Sequence, residues 1–252
     1  MAKFKFVKIS KNKKIRYLFN YSSSDVYLVF LHGFKSDIEG DKPKTLYKFC
    51  KKNNIGFLAF EYSGHGKSYG NFEDGTITSW TKDAYKIIKK KIFGKKIILV
   101  GSSMGGWIGL NLFKFFDKNI LAFVGIAPAP EFLDKLMWKK FTNKVRKQLI
   151  KEQFYVFNHG GFEYYITYNL IKDGKKNKVF NKIFDNKIYL TILHGENDDV
   201  VPISISRNII RIFKKAKKKL IIIKNGDHSL SKKNNLKRLM REIKYIYNNL
   251  TS

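Results

Sequence analysis

Five short runs, Val26 to His32, Ile55 to Tyr62, Lys96 to Val100, Ile120 to Ile126 and Ile188 to Leu193, recur along the chain and are dominated by apolar residues. Continuous apolar runs of this length suit strands buried on both faces; a strand with one wet face alternates instead. Between the first four lie stretches of helical periodicity: Asp41 to Lys52, with Pro43 in its first turn, Thr76 to Ile92, and Gly105 to Phe116. Strands that alternate with helices need crossover connections, which implies a mostly parallel central sheet with helices on both faces. Phe4 to Ile9 and Ile15 to Phe19 read as two further strands joined by a Lys/Asn turn. A helix over Ile203 to Phe213, a strand over Leu220 to Ile223 and a helix over Asn234 to Asn249 close the chain. The 252 residues suffice for one α/β domain, 1–252, around a single substantial core.

One interval breaks the rhythm. Pro128 to Asn186 separates two strand runs by far more than a crossover needs. It holds helical patterns around Phe132 to Phe141 and Val145 to Phe154, with aromatic residues throughout. Residues 128–186 therefore read as a helical lid inserted over the sheet.

The chemistry begins at Gly101-Ser102-Ser103-Met104-Gly105, directly after one strand run and directly before a helix. This is the G-x-S-x-G nucleophile elbow in its strand–turn–helix setting. The tight turn lifts the Ser103 hydroxyl above the sheet, beside a helix N-terminus that stabilises negative charge. Ser102 lies one residue out of register. A serine hydroxyl is a weak nucleophile near neutral pH; it needs a base, and the base needs an orienting acid. Elbow enzymes supply them in the chain order Ser, Asp, His. Asp198, in the loop after Ile188 to Leu193, is the expected acid, with Asp199 the alternative; either aspartate could instead cap the helix that starts near Pro202. His228, in the loop after the last strand, is the expected base. His32 and His194 stand at strand ends and are expected to shape turns. His65 lies in a Gly-rich loop and His159 in the insert. The oxyanion donors are expected to be the backbone N–H groups of Met104 and Phe34. In the insert, Phe132, Met137 and Trp138 are candidates for contact with an apolar acyl group.

Other features point to structure. Glu61 to Gly70 lacks the spacing of a phosphate-binding loop and reads as a turn above the sheet. Cys50, the single cysteine, sits mid-helix as a small core residue; it leaves no intramolecular disulfide and fits a reducing compartment, the cytosol. The formal charge of +30 comes from lysines scattered from end to end, with arginine scarce; that pattern does not specify nucleic-acid binding. Lys214-Lys215 and Lys217-Lys218-Lys219 are expected in a solvated loop. No apolar run is long enough for a membrane span, and the first residues show no secretory signal.

Taken together, these residues resemble the α/β-hydrolase superfamily. Within it they are similar to the mitochondrial and bacterial acyl-protein thioesterases that also cleave acyl glucuronides. The stretches that carry the resemblance are Phe30 to Gly40, Phe60 to Gly70, Trp80 to Asp83, Val100 to Trp107, Leu193 to Pro202 and Gly226 to His228. It implies the α/β-hydrolase fold and palmitoyl-thioester or carboxylic-ester hydrolysis. It carries the triad onto Ser103, Asp198 and His228. It requires no cofactor and no metal. A short-chain esterase, a peptidase and a non-catalytic lipid-binding member are the alternatives on the same scaffold.

Overall fold

A computed structural model of the chain describes residues 3–159 and 162–251, with the side chains of residues 158, 159 and 162 also outside the description. The strands are β1 (Phe4–Ser10), β2 (Lys13–Asn20), β3 (Val26–Leu31), β4 (Gly56–Phe60), β5 (Lys96–Ser102), β6 (Ile120–Ile126), β7 (Phe154–His159), β8 (Phe162–Thr167), β9 (Tyr189–Gly195) and β10 (Lys217–Ile223). The helices are α1 (Asp41–Lys52), α2 (Ile77–Ile92), α3 (Met104–Phe116), α4 (Asn143–Glu152), α5 (Tyr168–Lys176), α6 (Ile203–Ile212) and α7 (Lys233–Thr251). Eight strands form one sheet in the order β1-β2-β4-β3-β5-β6-β9-β10. β1–β2 and β2–β4 pair antiparallel, and every other pair is parallel.

The apolar runs explain that arrangement. All six residues of β3 and all five of β4 are buried, because helices cover both sides. One buried layer joins the sheet to α2, α3, α5 and α6 through Trp80, Ile87, Trp107, Ile108, Ile171 and Ile209. The opposite layer joins it to α1 and α7 through Leu46, Cys50, Leu239, Ile243 and Ile246. Cys50 is a buried free thiol whose pKa burial pushes up, as a core residue should be.

Two expectations need correction here. Lys217, Lys218 and Lys219 are strand, the first half of β10, and not loop. β10 is an edge strand paired only with β9, so its lysines stay exposed and charge the free edge against further pairing. The interval 128–186 is not purely helical. After a short π turn (Leu133–Met137), a 3-10 turn (Trp138–Lys140) and α4, the chain forms an antiparallel hairpin, β7–β8, before α5. Gln153, left-handed at φ 66°, ends α4 and releases Phe154 into β7. Gly160 and Gly161, beside His159, lie outside the described residues.

Candidate active site

Sheet order decides where the site sits. The carboxyl ends of β3, β5, β9 and β10 lead into the loops that carry Phe34, Ser103, Asp198 and His228. Ser103 stands between β5 and α3 with φ 51° and ψ −119°, a left-handed backbone that a side-chain-bearing residue adopts only under strain. The surrounding glycines make the turn possible. A Cβ on Gly105 would overlap the carbonyls of Leu31 and His32, and one on Gly101 would press on the first turn of α3.

The three expected residues meet, although up to 125 positions separate them. His228 Nε2 lies 3.1 Å from Ser103 Oγ, and His228 Nδ1 lies 2.8 Å from Asp198 Oδ2. The carboxylate is held from its other side. Val200 N–H (3.0 Å) and Val201 N–H (2.8 Å) both donate to Asp198 Oδ1. Burial raises the Asp198 carboxyl, but the His228 hydrogen bond and these two N–H groups outweigh it, so the pKa falls below its usual value. Asp198 is thus the aspartate that faces the imidazole. Asp199 is exposed and lines the cavity. Neither caps α6, whose N-cap is Pro202 without a side-chain bond.

A histidine that the sequence offered only as a turn former supports this acid. His194 is buried; its Nε2 lies 2.8 Å from the Val201 carbonyl and 3.4 Å from Asp198 Oδ2, and its Nδ1 lies 2.7 Å from Ser206 Oγ. A carbonyl can only accept, so Nε2 carries the proton and Nδ1 accepts from the Ser206 hydroxyl. Burial, set against the Val201 carbonyl and the Asp198 charge, lowers the His194 pKa and keeps it neutral.

The two backbone segments expected to donate N–H groups adjoin Ser103. Met104 is the first residue of α3, where an N–H has no acceptor within the helix. Gly33 approaches closely, since a Cβ placed on it would stand 3.4 Å from the Ser103 Cβ. The adjoining Phe34 ring is fixed among Phe72, Trp80, Phe132 and Tyr164, with centroids 4.9–6.1 Å away. Lys35, at φ 52°, donates from Nζ to the Glu163 carbonyl (2.5 Å) and so ties this loop to β8.

Ser103 and His228 open into a cavity of about 600 Å³. Phe34, Phe132, Leu136, Met137, Phe157 and Tyr164 supply apolar wall, while Ser36, Asp37, Asp41, Lys42, Ser229 and Ser231 supply polar rim. Of the three insert residues singled out in the sequence, Phe132 and Met137 line this cavity. Trp138 does not: it is absent from the lining and packs on Tyr168 (6.0 Å) beneath Arg146 and Lys175. The change from π to 3-10 geometry at Met137–Trp138 turns the two side chains different ways. The hairpin residues Phe157 and Tyr164 were missed because the hairpin was. Among the described residues, no three or more His, Cys, Asp or Glu side chains cluster to hold a metal.

Behind the expected N–H donors, His32 and His65 are both buried, their ring centroids 5.0 Å apart, and each leaves Nε2 without a hydrogen-bond partner. Burial drives both pKa values down, His65 from 6.5 to about 4. Below pH 6.5 the unfolded chain binds protons that the folded chain refuses, so stability falls as pH drops toward the folded pKa. For His65 alone, the loss from pH 6.5 to about pH 4.5 is about 2 kcal/mol. Denaturant midpoints across this window should fall more steeply for the wild type than for His65→Phe. Parallel slopes would contradict the assignment.

Fold, elbow and cavity define an α/β-hydrolase. The chain belongs to the hydrolase family described as serine aminopeptidase, S33, whose pattern matches residues 22–163, more than half of the chain. It is similar to the mitochondrial palmitoyl-protein thioesterase ABHD10 of Bos taurus, 28% identical over 228 residues that cover 89% of this chain and 74% of the bovine one. The Homo sapiens counterpart is 27% identical over the same shares. Among solved structures, the mouse alpha/beta hydrolase domain-containing protein 10 superposes with a TM-score of 0.89 at 25% identity, covering 99% of this chain and 100% of that one. Est1E from Butyrivibrio proteoclasticus, with ferulic acid bound, superposes at 0.80 and 19% identity over 98% and 100%, and shares the fold. No described helix is long and apolar enough to cross a membrane. The bovine and human relatives are named mitochondrial, a location that differs from the cytosol expected from the sequence.

Proposed function

We propose that this protein is a serine hydrolase that cleaves carboxylic esters or thioesters through an acyl-enzyme. The observation that carries the reading is the unbroken run of hydrogen-bond distances from Ser103 Oγ through His228 to Asp198. Ser103 Oγ attacks the acyl carbonyl carbon while His228 Nε2 takes the hydroxyl proton. The carbonyl oxygen becomes an oxyanion against the N–H groups of Phe34 and Met104; losing one such donor typically costs about a hundred- to a thousandfold in rate. His228 returns the proton to the departing alcohol or thiol as the tetrahedral intermediate collapses. Water then attacks the acyl-enzyme, with the same imidazole as base, releasing the acid and restoring Ser103. Asp198 holds the tautomer and stabilises the imidazolium; His194 helps to hold Asp198. No cofactor takes part.

The apolar wall formed by Phe132, Leu136, Met137, Phe157 and Tyr164 supports an acyl subsite under residues 128–186, which act as its lid. The names of the thioesterase relatives point the same way. Ester turnover should rise with acyl length until the wall is filled, and Met137→Ser should flatten that rise by about tenfold at the long-chain end. A p-nitrophenyl ester series measured as kcat/KM checks this, and a profile that peaks at acetyl or stays flat sinks the subsite. The family's aminopeptidase description favours amide cleavage as a second reading. Matched thioester, ester and aminoacyl-amide substrates separate the two; preferred amide turnover overturns the first.

A further inference from the structure

We propose that the outer face of the β7–β8 hairpin, with the adjoining face of α4, docks the protein onto an anionic lipid bilayer surface. Cross-strand register sorts the hairpin side chains. Tyr155 pairs with Ile166 and Phe157 with Tyr164, while Phe154 pairs with Thr167 and Val156 with Tyr165. Side chains alternate across a strand, so the first set shares one face and the second set the other. The first face is inward: Ile166 is fully buried, and Phe157 and Tyr164 line the catalytic cavity. The second face is outward; it carries Thr167 and the exposed Glu163, and with them Phe154, 47% exposed, and Tyr165, 36% exposed. A hairpin with one wet face normally turns polar residues outward; this one adds two exposed aromatic rings to them.

The apolar patch continues onto α4, where Ile150 is 46% exposed. Lys144, Lys147 and Lys151 are exposed at helical spacing around it. The ten residues of α4 carry Lys144, Arg146, Lys147 and Lys151 against one acid, Glu152. Lys35 adds a cation over the Tyr165 ring, 5.6 Å from its centroid. Aromatic and aliphatic tips ringed by lysines match the boundary of a bilayer that bears anionic headgroups, where apolar insertion and lysine–phosphate attraction add. A protein partner needs a shaped acceptor, whereas a bilayer accepts a convex patch. The site also gains an orientation, because the inward face of the same hairpin walls the cavity; acyl chains and the bilayer would lie on opposite sides of one two-stranded layer.

Vesicle flotation tests this with the full chain. Phosphatidylcholine vesicles are compared with vesicles containing about one-third phosphatidylglycerol, and four variants with the wild type. The wild type should float with the anionic vesicles only. The triple variant Ile150→Ser, Phe154→Ser, Tyr165→Ser should lose tenfold or more of that partitioning, as should Lys144→Gln, Lys147→Gln, Lys151→Gln. The triple variant Lys214→Gln, Lys215→Gln, Lys218→Gln, on and just before the edge strand β10 and outside the hairpin and α4, should change it less than twofold. Failure of the wild type to bind overturns the proposal. So does equal loss in the remote variant, which would mean that net charge alone adheres, or a dimer that the serine triple dissociates, which would mean that a second copy covers the patch. Turnover of a soluble short ester should be unchanged in the serine triple, which also reports that it folds. Ser103→Ala should bind vesicles like the wild type, so failure of docking and failure of the hydrolase reading are told apart.

Discussion

Ser103→Ala should lower kcat for an activated ester by about 10⁴- to 10⁶-fold and leave the fold in place. The size follows from what is removed. Without Oγ no acyl-enzyme forms, and the anion pocket is left to assist direct attack by water, which retains only the residual acceleration of binding and N–H donation. The fold survives because alanine carries the same Cβ into the left-handed turn at φ 51°, so the backbone strain is unchanged. Steady-state kinetics and a thermal melt together check the statement. Retention of more than about a hundredth of the wild-type rate, in a preparation free of other esterases, contradicts it.

The second large effect is expected at the acid. Asp198→Asn should reduce kcat by about 10³- to 10⁴-fold. The structure supplies the reason that an isosteric change is so damaging. Two N–H groups, from Val200 and Val201, point at Oδ1, so the asparagine oxygen must take that place. Its NH₂ then faces His228 Nδ1 and donates to it. The imidazole is left with its proton on Nε2, toward Ser103, and cannot serve as base. Asp199→Asn is the matched control and should stay within a few-fold of the wild type, because its side chain touches no member of the triad in the hydrogen bonds described. Equal losses at the two aspartates, or a larger loss at Asp199, would assign the acid to the wrong residue.

How much of this could be read from the amino-acid order depends on the kind of signal each part leaves. The parallel strands were legible because burial on both faces forces unbroken apolar runs, as in Val26 to Leu31. The elbow was legible because it needs glycine at two fixed offsets, and Gly101 and Gly105 have no room for a Cβ. The meeting of Asp198 and His228 with Ser103 was legible from chain order and from the loops they follow. The hairpin β7–β8 was not, because Phe154, Tyr155, Val156 and Phe157 show no alternation along β7, so period 2 is invisible there. Trp138 was misplaced because local π and 3-10 turns rotate side chains in a way no heptad pattern encodes. His32 and His65 looked like loop residues beside glycine, yet they are buried beneath the anion pocket by contacts with Tyr62, Phe72 and Trp80. The polar rim from α1, with Lys42 Nζ donating to the Ser229 carbonyl at 2.6 Å, spans 187 positions and leaves no local trace.

The most direct measurement is the reaction of the intact protein with a fluorophosphonate, followed by mass mapping of the modified peptide. A serine activated by His228 should take the phosphonyl group on Ser103, with labelling abolished in Ser103→Ala and slowed at least a thousandfold in His228→Ala. An adduct on Ser102 or on any other residue, or a folded protein that takes no label at all, would contradict the assignment of Ser103 as the nucleophile.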